Sequence, residues 1–486
     1  MPCTTILVGK NASYDGSTIM ARNEDSGAGQ YTPKRFTVVD PEEQPGQYRS
    51  VLSGVTIDLP EDPMRYTAVP NALPAEGIWG EAGVNEANVA MTETETITSN
   101  PRVLGADPLV KGGIGEEDLL TIVLPYIHTA REGVLRLGSL IEEFGTYEMN
   151  GIGFQDREEV WWFESIGGHH WIARRVPDDC YAAIPNQLGI DWFDFTDAYG
   201  AQNEHLCSAD MADFIEKNHL DLSFRSGSLM EEKHFDVRAA LGSHDDADHT
   251  YNTPRAWFMQ RYLNPKENTW DGPDADYRPD ADDLPWCRRP EHRITIEDVK
   301  YVLSGYYQGT PYDPYGKYGD ASQRGRFRPI GINRNNFIHV TQLRNDLPDG
   351  FMAVEWLSMG SNAFNALVPF YMNVKQVPDY LSNTTGTVST DNFYWANRLI
   401  GALADAHLPQ CAAHIERYQN KVHAEGHRML NAYDAEAAGK TDLPEYLAEC
   451  NQAMAEMVRK ETDDLLSKVL YEATNGMKNA FSRSDA

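Results

Sequence analysis

Strand-like and helix-like segments are grouped along this chain rather than alternated, and that grouping narrows the possible folds more than any other feature. The opening CTTILV, the turn residues Tyr14-Asp15-Gly16-Ser17 and the extended run Thr18-Ile19-Met20-Ala21 predict a β-hairpin over the first 25 residues. A second hairpin-like unit covers 80–96, with Gly83-Val84-Asn85-Glu86 as a turn before the strand 88–92. Apolar residues at helical spacing, among them Val134, Leu137, Ile141 and Phe144, predict helices over 118–124 and 130–144. Three further strands, 159–164, 169–174 and 180–184, read as a meander ending at Pro185-Asn186-Gln187. Residues 242–290 are rich in Asp, Pro and Gly and read as long surface loops carrying Trp257, Trp270 and Trp286. Strands return between 328 and 374, and the chain from about 392 is helical. There Asp442-Leu-Pro-Glu445 has the form of a capping box, followed by an apolar stripe of Leu447, Cys450, Met454, Met457, Leu465 and Val469. This order predicts an α+β fold with largely antiparallel sheets, not a doubly wound one.

Charge and cysteine usage limit the partners. Against 42 basic residues stand 73 acidic ones, a net charge of −31 that repels nucleic-acid phosphates and anionic headgroups. The sequence holds no apolar run of about 18 residues and no signal-peptide pattern at MPCTTILVGK, so neither a membrane nor export is expected. Six scattered cysteines without a CxxC pair fit reduced thiols and a cytoplasmic location.

Common catalytic signatures are missing: HExxH, Gly-x-Ser-x-Gly and a strand-linked GxGxxG do not occur. Gly439-Lys440-Thr441 imitates the end of a phosphate loop, but Asp434 occupies the position of its first glycine. Two acidic runs, His244–His249 and Asp274–Asp283, read as solvated loop surface rather than metal sites. His169 and His170 are neighbours on an expected strand, which would turn them to opposite faces. No metal and no cofactor are expected.

The N-terminus offers more chemistry. Removal of Met1 and Pro2 leaves Cys3 with a free α-amino group, whose pKa near 8 keeps a large share neutral in the cell. A neutral amine beside a thiol serves as its general base, so one residue supplies nucleophile and base. The hairpin folds Arg22-Asn23-Glu24-Asp25 back to within about one strand spacing of Cys3. Arg22 is placed to favour the thiolate, and Asp25 to orient the amine.

The opening CTTILVGKNASYDGSTIMARNEDS resembles the dipeptidase A family of N-terminal-nucleophile hydrolases, with bile salt hydrolases and penicillin V acylases as more distant relatives. The resemblance extends through GVNEANVAMTETET (83–96), EEVWWFESIGGHHWIARRVPDDCYAAIPNQ (158–187), YNTPRAWF (251–258) and RPIGINR (328–334). It implies Cys3 as the nucleophile, Arg22 and Asp25 as its supporting pair, Asn186 as an oxyanion-hole donor and Arg255 as the later arginine of the site. Where the acylases carry an Asn, this chain has Glu95, so a backbone N–H is expected as second donor, with the acidic side chain holding a substrate ammonium. Pro2 stands between Met1 and Cys3, so exposure of Cys3 requires self-cleavage or trimming. The implied fold is a four-layer αββα sandwich over residues 1–390, with residues 391–486 as a helical extension on the same domain. The implied activity is dipeptide hydrolysis in a cytoplasmic homo-oligomer. The same machinery would equally serve an N-acyl amino acid or bile-salt-like amidase, for which an apolar trough would replace an acidic wall.

Overall fold

The computed structural model describes residues 3–95, 97–225 and 227–479, with all their side chains except those of Glu76, Thr94 and Glu95. It shows a mixed α+β architecture around two antiparallel sheets.

The elements that place the site, in chain order, are strands β1 (Cys3–Val8), β2 (Thr18–Asp25), β3 (Ala82–Val84) and β4 (Ala90–Glu95); helices α1 (Glu116–Val123) and α2 (Ala130–Phe144); and strands β5 (Asn150–Gln155), β6 (Val160–Ser165), β7 (Trp171–Arg175), β8 (Tyr181–Ile184) and β9 (His205–Cys207). Helix α3 (Thr253–Leu263), strand β10 (Cys287–Arg288) and helix α4 (Ile296–Leu303) come next. Strands β11 (Asn335–Leu343), β12 (Ala353–Met359) and β13 (Val368–Tyr371) precede helices α5 (Phe393–Ala404), α6 (Leu408–Ala437) and α7 (Leu443–Asn475).

One sheet has seven strands in the order β10-β8-β1-β2-β11-β12-β13, and the other has six, β9-β7-β6-β5-β4-β3. The sheets meet where β1 and β2 lie against β4, and β2 against β5. Their approach is close at Gly153, where an added Cβ would lie 2.6 Å from Met20 Sδ. Helices α1 and α2 pack on strands of the six-stranded sheet, α1 on β4 and α2 on β5 and β6. The seven-stranded sheet carries α3 on β8, α4 on β1 and β2, α5 on β12, and α6 and α7 on β13. All residues of β1, β2, β11 and β12 are buried. Their near-continuous burial follows from coverage on both faces and is why polar residues there must find partners inside the protein.

The opening hairpin forms as predicted, with Cys3 opposite Glu24 and Thr5 opposite Arg22. Its turn uses Gly16 at φ +85°, a conformation open to glycine at little cost, and Asp15 accepts from the Ser17 amide. Helix α2 matches the expected 130–144 and is capped by Thr129, whose hydroxyl accepts from the Glu132 amide. Asp442 caps α7 through the Glu445 amide, with Pro in the first turn.

Two expectations are corrected. The strands at 159–184 are not one meander: β6 and β7 pair as a hairpin, but β8 crosses to the other sheet and pairs with β1. Period-2 patterning marks strands without saying which edge they join, and the free edge of β1 supplies the partner. The stretch 242–290 is not all loop. A five-residue π-helical turn at Asp248–Asn252 leads into α3, whose Pro254 sits in the first turn. Trp257, Trp270 and Trp286 are all buried, so this segment is pinned to the body by apolar burial despite its Asp-rich surface.

Gly83 in β3 lies so near the Thr67 backbone that an added Cβ would fall 1.7 Å from the Thr67 carbonyl oxygen. Backbone cannot rotate away as a side-chain tip can. Gly83→Ala is expected to destabilise the protein by about 1–3 kcal/mol, read as a lower urea midpoint, and an unchanged midpoint would contradict this packing.

Candidate active site

The site is assembled at the head of β1. Arg22 on β2 directs Nη2 to Cys3 Sγ at 2.7 Å. On the other side of β1, β8 pairs Ile184 with Thr5, which carries Asn186 to Cys3. The Cys3 nitrogen donates to Asn186 Oδ1 at 3.2 Å. Sulfur and nitrogen of one residue are therefore held from two sides, by β2 and by the segment that follows β8.

Arg255 of α3 locks this arrangement. Its Nη1 donates to the Cys3 carbonyl at 2.5 Å and to Thr4 Oγ1 at 2.8 Å, and its Nη2 to Asn186 Oδ1 at 2.7 Å and Asn252 Oδ1 at 2.6 Å. A guanidinium only donates, so the Asn186 atom it touches is the carbonyl oxygen, and the amide NH₂ is the end that can donate to a substrate. Burial lowers the Arg255 pKa to about 10, which leaves it charged at neutral pH.

Asp25, at the end of β2, is paired with Arg328 and hydrogen-bonded by Asn335 and by Asn23 Nδ2, the last at 3.3 Å. Burial lowers Arg328 to about 9, with the neighbouring Arg334 charge adding to the effect. Arg328 opens the RPIGINR segment, where nothing in the local sequence marks it apart from Arg334.

A wall of carboxylates faces the guanidinium of Arg22. Arg22 Nη2 pairs with Glu81 Oε2 at 2.8 Å and Glu116 Oε1 at 3.3 Å, while Nη1 donates to the Glu81 carbonyl at 3.1 Å. Lys34 pairs with Glu81 at 2.9 Å and Glu24 at 3.4 Å. Every one of these side chains is fully buried. Burial would raise the Glu81 carboxyl, but Lys34 and Arg22 together hold it below its ordinary value. Glu24 is raised by burial to about 7, and Glu116 is also raised, chiefly by burial. Glu81 adopts φ +69°, unusual for a non-glycine residue, which directs both its carbonyl and its carboxylate to Arg22.

The Cys3 thiol is pushed up to about 12, first by burial and then by the Glu116 and Glu81 charges, against the lowering effect of Arg22. Arg22 divides its charge between the sulfur and two carboxylates, so it hydrogen-bonds the sulfur without ionising it. A neutral thiol of this kind needs an adjacent base.

The structure thus brings together Cys3, Arg22, Asn186 and Arg255, and seats Asp25 in a network with Arg328 and Asn335 two residues beyond Asn23. The Glu95 side chain lies outside the described residues. Sequence reasoning missed Glu81, Glu93, Glu116 and Lys34. One signal was present: Thr92-Glu-Thr-Glu95 on a strand puts its acidic residues on one face, an unusual load for a covered sheet. His169 and His170 are also corrected. They lie before β7 rather than in it, and both Nδ1 atoms converge on Asp107, at 2.9 and 2.7 Å.

A thiol held by a guanidinium and an amide at the head of a covered strand belongs with the cysteine-type peptidases, and comparison agrees. The family model described as Peptidase family C69 matches residues 2–421, and the chain belongs to that family. Relatives span its length. A "Dipeptidase" of Bifidobacterium longum (strain NCC 2705) is 54% identical, with 100% of each chain covered. A "Probable dipeptidase A" of Streptococcus pyogenes serotype M3 (strain SSI-1) is also 54% identical, again with 100% of each covered. A penicillin V acylase from Agrobacterium tumefaciens overlaps at TM-score 0.32 and 13% identity, covering 79% of this chain and 89% of that one. No helix among the described residues is long and apolar enough to cross a membrane.

Proposed function

We propose that the protein is a dipeptidase that uses Cys3, exposed by removal of Met1-Pro2, as an N-terminal nucleophile. The observation that carries this reading is the dual hold on one residue: Cys3 Sγ on Arg22 and the Cys3 nitrogen on Asn186. Full-length relatives named as dipeptidases support the substrate class.

In the proposed reaction the α-amino nitrogen takes the thiol proton as sulfur attacks the substrate carbonyl. The negative charge that develops on the carbonyl oxygen is met by the Asn186 amide, an interaction typically worth about 3 kcal/mol. The C–N bond breaks, the proton passes from the α-amine to the leaving amine, and a thioester remains on Cys3. Water, deprotonated by the same α-amine, adds to the thioester, and collapse expels the sulfur, which takes the proton back, and releases the substrate's N-terminal residue as the free acid. Arg22 stabilises negative charge on sulfur as it forms. Arg255 is a positioning residue that keeps Asn186 and the Cys3 carbonyl in place, and Asp25, itself held by Arg328 and Asn335, is proposed to orient the α-amino group.

The same reading takes the two sheets and their outer helices as an αββα sandwich over 1–390. From residue 391 the chain is taken as a helical extension, supported over its described residues by the shared core that joins α5, α6 and α7 to β12 and β13, while 480–486 lie outside the described residues. Six unbridged cysteines fit a cytoplasmic home, and exposed Leu470 and Tyr471 on α7 suit a helix-mediated homo-oligomer.

The test joins the N-terminus to activity. Mass analysis of the N-terminal peptide is expected to find Cys3 first in protein that hydrolyses Ala-Ala, and protein retaining Met1-Pro2 is expected to be inactive. Because the base works only when neutral, kcat/KM should rise up to tenfold per pH unit below the α-amine pKa of about 8 and level above it. Equal activity with Met1-Pro2 retained would overturn the proposal.

A further inference from the structure

We infer that Glu93, with Glu81 and Glu116, forms the subsite that receives the free α-ammonium of the substrate's N-terminal residue. This deepens the dipeptidase reading and rests on it.

Glu93 carries the inference. Its side chain is fully buried on β4, and neither carboxylate oxygen has a hydrogen-bond partner among the described residues. Such a group costs free energy unless something pairs with it, so its persistence in a covered strand points to a ligand. It is aimed at company of its own sign: one ligand atom each from Glu81, Glu93 and Glu116 all lie within 4.8 Å of one another. Burial and the charges of Glu81 and Glu116 raise its pKa well above the usual carboxylate range. A positive group entering the trio would reverse that effect.

Charge counting points the same way. Among the described residues, four buried carboxylates, Glu24, Glu81, Glu93 and Glu116, are grouped with two buried cations, Arg22 and Lys34. Arg22 and Lys34 pair with Glu24, Glu81 and Glu116 but not with Glu93. A primary ammonium offers three donors and one charge, and fits a three-carboxylate cradle.

Position identifies which ammonium it is. Arg22 Nη2 touches Cys3 Sγ at 2.7 Å and Glu81 Oε2 at 2.8 Å, so the Glu81 carboxylate lies within two hydrogen-bond lengths of the attacking sulfur, and a Glu93 oxygen lies within 4.8 Å of a Glu81 one. In a peptide the α-nitrogen and the carbonyl carbon of the same residue are two bonds apart, about 2.5 Å. A nitrogen seated on the carboxylates therefore brings its own carbonyl, and no other, up to the sulfur at the roughly 3–3.5 Å of a near-attack pose. The subsite selects the first peptide bond of a free N-terminus. It rejects N-acylated substrates, which have no charge to offer and would leave Glu93 unpaired.

The experiment compares Ala-Ala with N-acetyl-Ala-Ala in the processed enzyme and in Glu93→Gln, with Glu93→Asp as a charge-retaining control. Wild type is expected to prefer Ala-Ala by at least about 100-fold in kcat/KM, since a buried polar site rejects analogues lacking its partner by large factors. Glu93→Gln is expected to shrink that preference at least tenfold, mainly through KM for Ala-Ala, and Glu93→Asp to restore part of it. An unchanged preference in a folded Glu93→Gln overturns the inference. So does a metal outcome, in which Ca²⁺ or Mg²⁺ alone raises the wild-type melting temperature but not that of Glu93→Gln, and a chelator removes activity. Should Glu93→Gln fail to fold, wild type decides: equal turnover of the two substrates overturns the subsite. Failure of the underlying reading is separable, because then wild type hydrolyses neither substrate, or Cys3→Ala hydrolyses both.

Discussion

Cys3→Ala is expected to lower kcat/KM for Ala-Ala by at least about 10⁴-fold, with the fold and melting temperature retained. Loss of a covalent nucleophile removes the acyl-enzyme route altogether, and measured losses of this kind reach about 10⁶-fold. The substitution deletes the sulfur that Arg22 touches and leaves the Cys3 nitrogen on Asn186. Chelators are expected to leave wild-type activity unchanged, because no step of the proposed route passes through a metal. Near-normal turnover by Cys3→Ala, checked against contaminating peptidase by the purified wild-type specific activity, would refute the assignment of the nucleophile.

Arg22→Gln is expected to damage both stability and activity. Arg22 is fully buried between Cys3 Sγ, the Glu81 carbonyl and the carboxylates of Glu81 and Glu116. Its removal takes one cation from Glu81, which keeps Lys34, and from Glu116, with Glu93 beside them, and breaking a buried pair from one side typically costs about 3–5 kcal/mol. The urea midpoint should fall accordingly. Part of the loss should return at mildly acidic pH. The sign follows from the carboxyls: Glu116 is already raised above its ordinary value, and without Arg22 the folded protein would bind more protons than the unfolded chain. Stability then rises as pH falls toward the unfolded carboxyl range. Arg22→Lys should rescue little, since a single ammonium cannot reproduce the planar fork that reaches sulfur, carbonyl and carboxylates together. A midpoint equal to wild type in Arg22→Gln would show that the carboxylates find another partner and would remove Arg22 from the centre of the site.

Much of the site was readable because it is local. Arg22 and Asp25 follow Cys3 within a hairpin, and hairpin geometry forces the end of β2 beside the start of β1. Residues farther away could be proposed only from resemblance. Asn186 reaches Cys3 because β8 leaves its sequence neighbour β7 and pairs with β1, a choice that no periodicity encodes. Arg255 sits on a helix inside a stretch whose Asp and Pro content reads as loop, because burial of Trp257, Met259 and Leu263 overrides local composition. The carboxylate wall was the least legible part. Glu81, Glu93 and Glu116 come from three separated segments, and acidic residues in a chain of net charge −31 carry almost no individual signal.

By itself, then, the sequence determined the grouped α+β character, the opening hairpin and the adjacency of a terminal thiol to a guanidinium, because these depend on alternation, turn residues and short-range chain geometry. Tertiary structure alone decided that β8 joins β1, that Arg255 holds Asn186, and that Glu81, Glu93 and Glu116 converge. Those facts rest on long-range pairing and on desolvation, and desolvation is what makes three glutamates brought to one place depend on the groups buried with them.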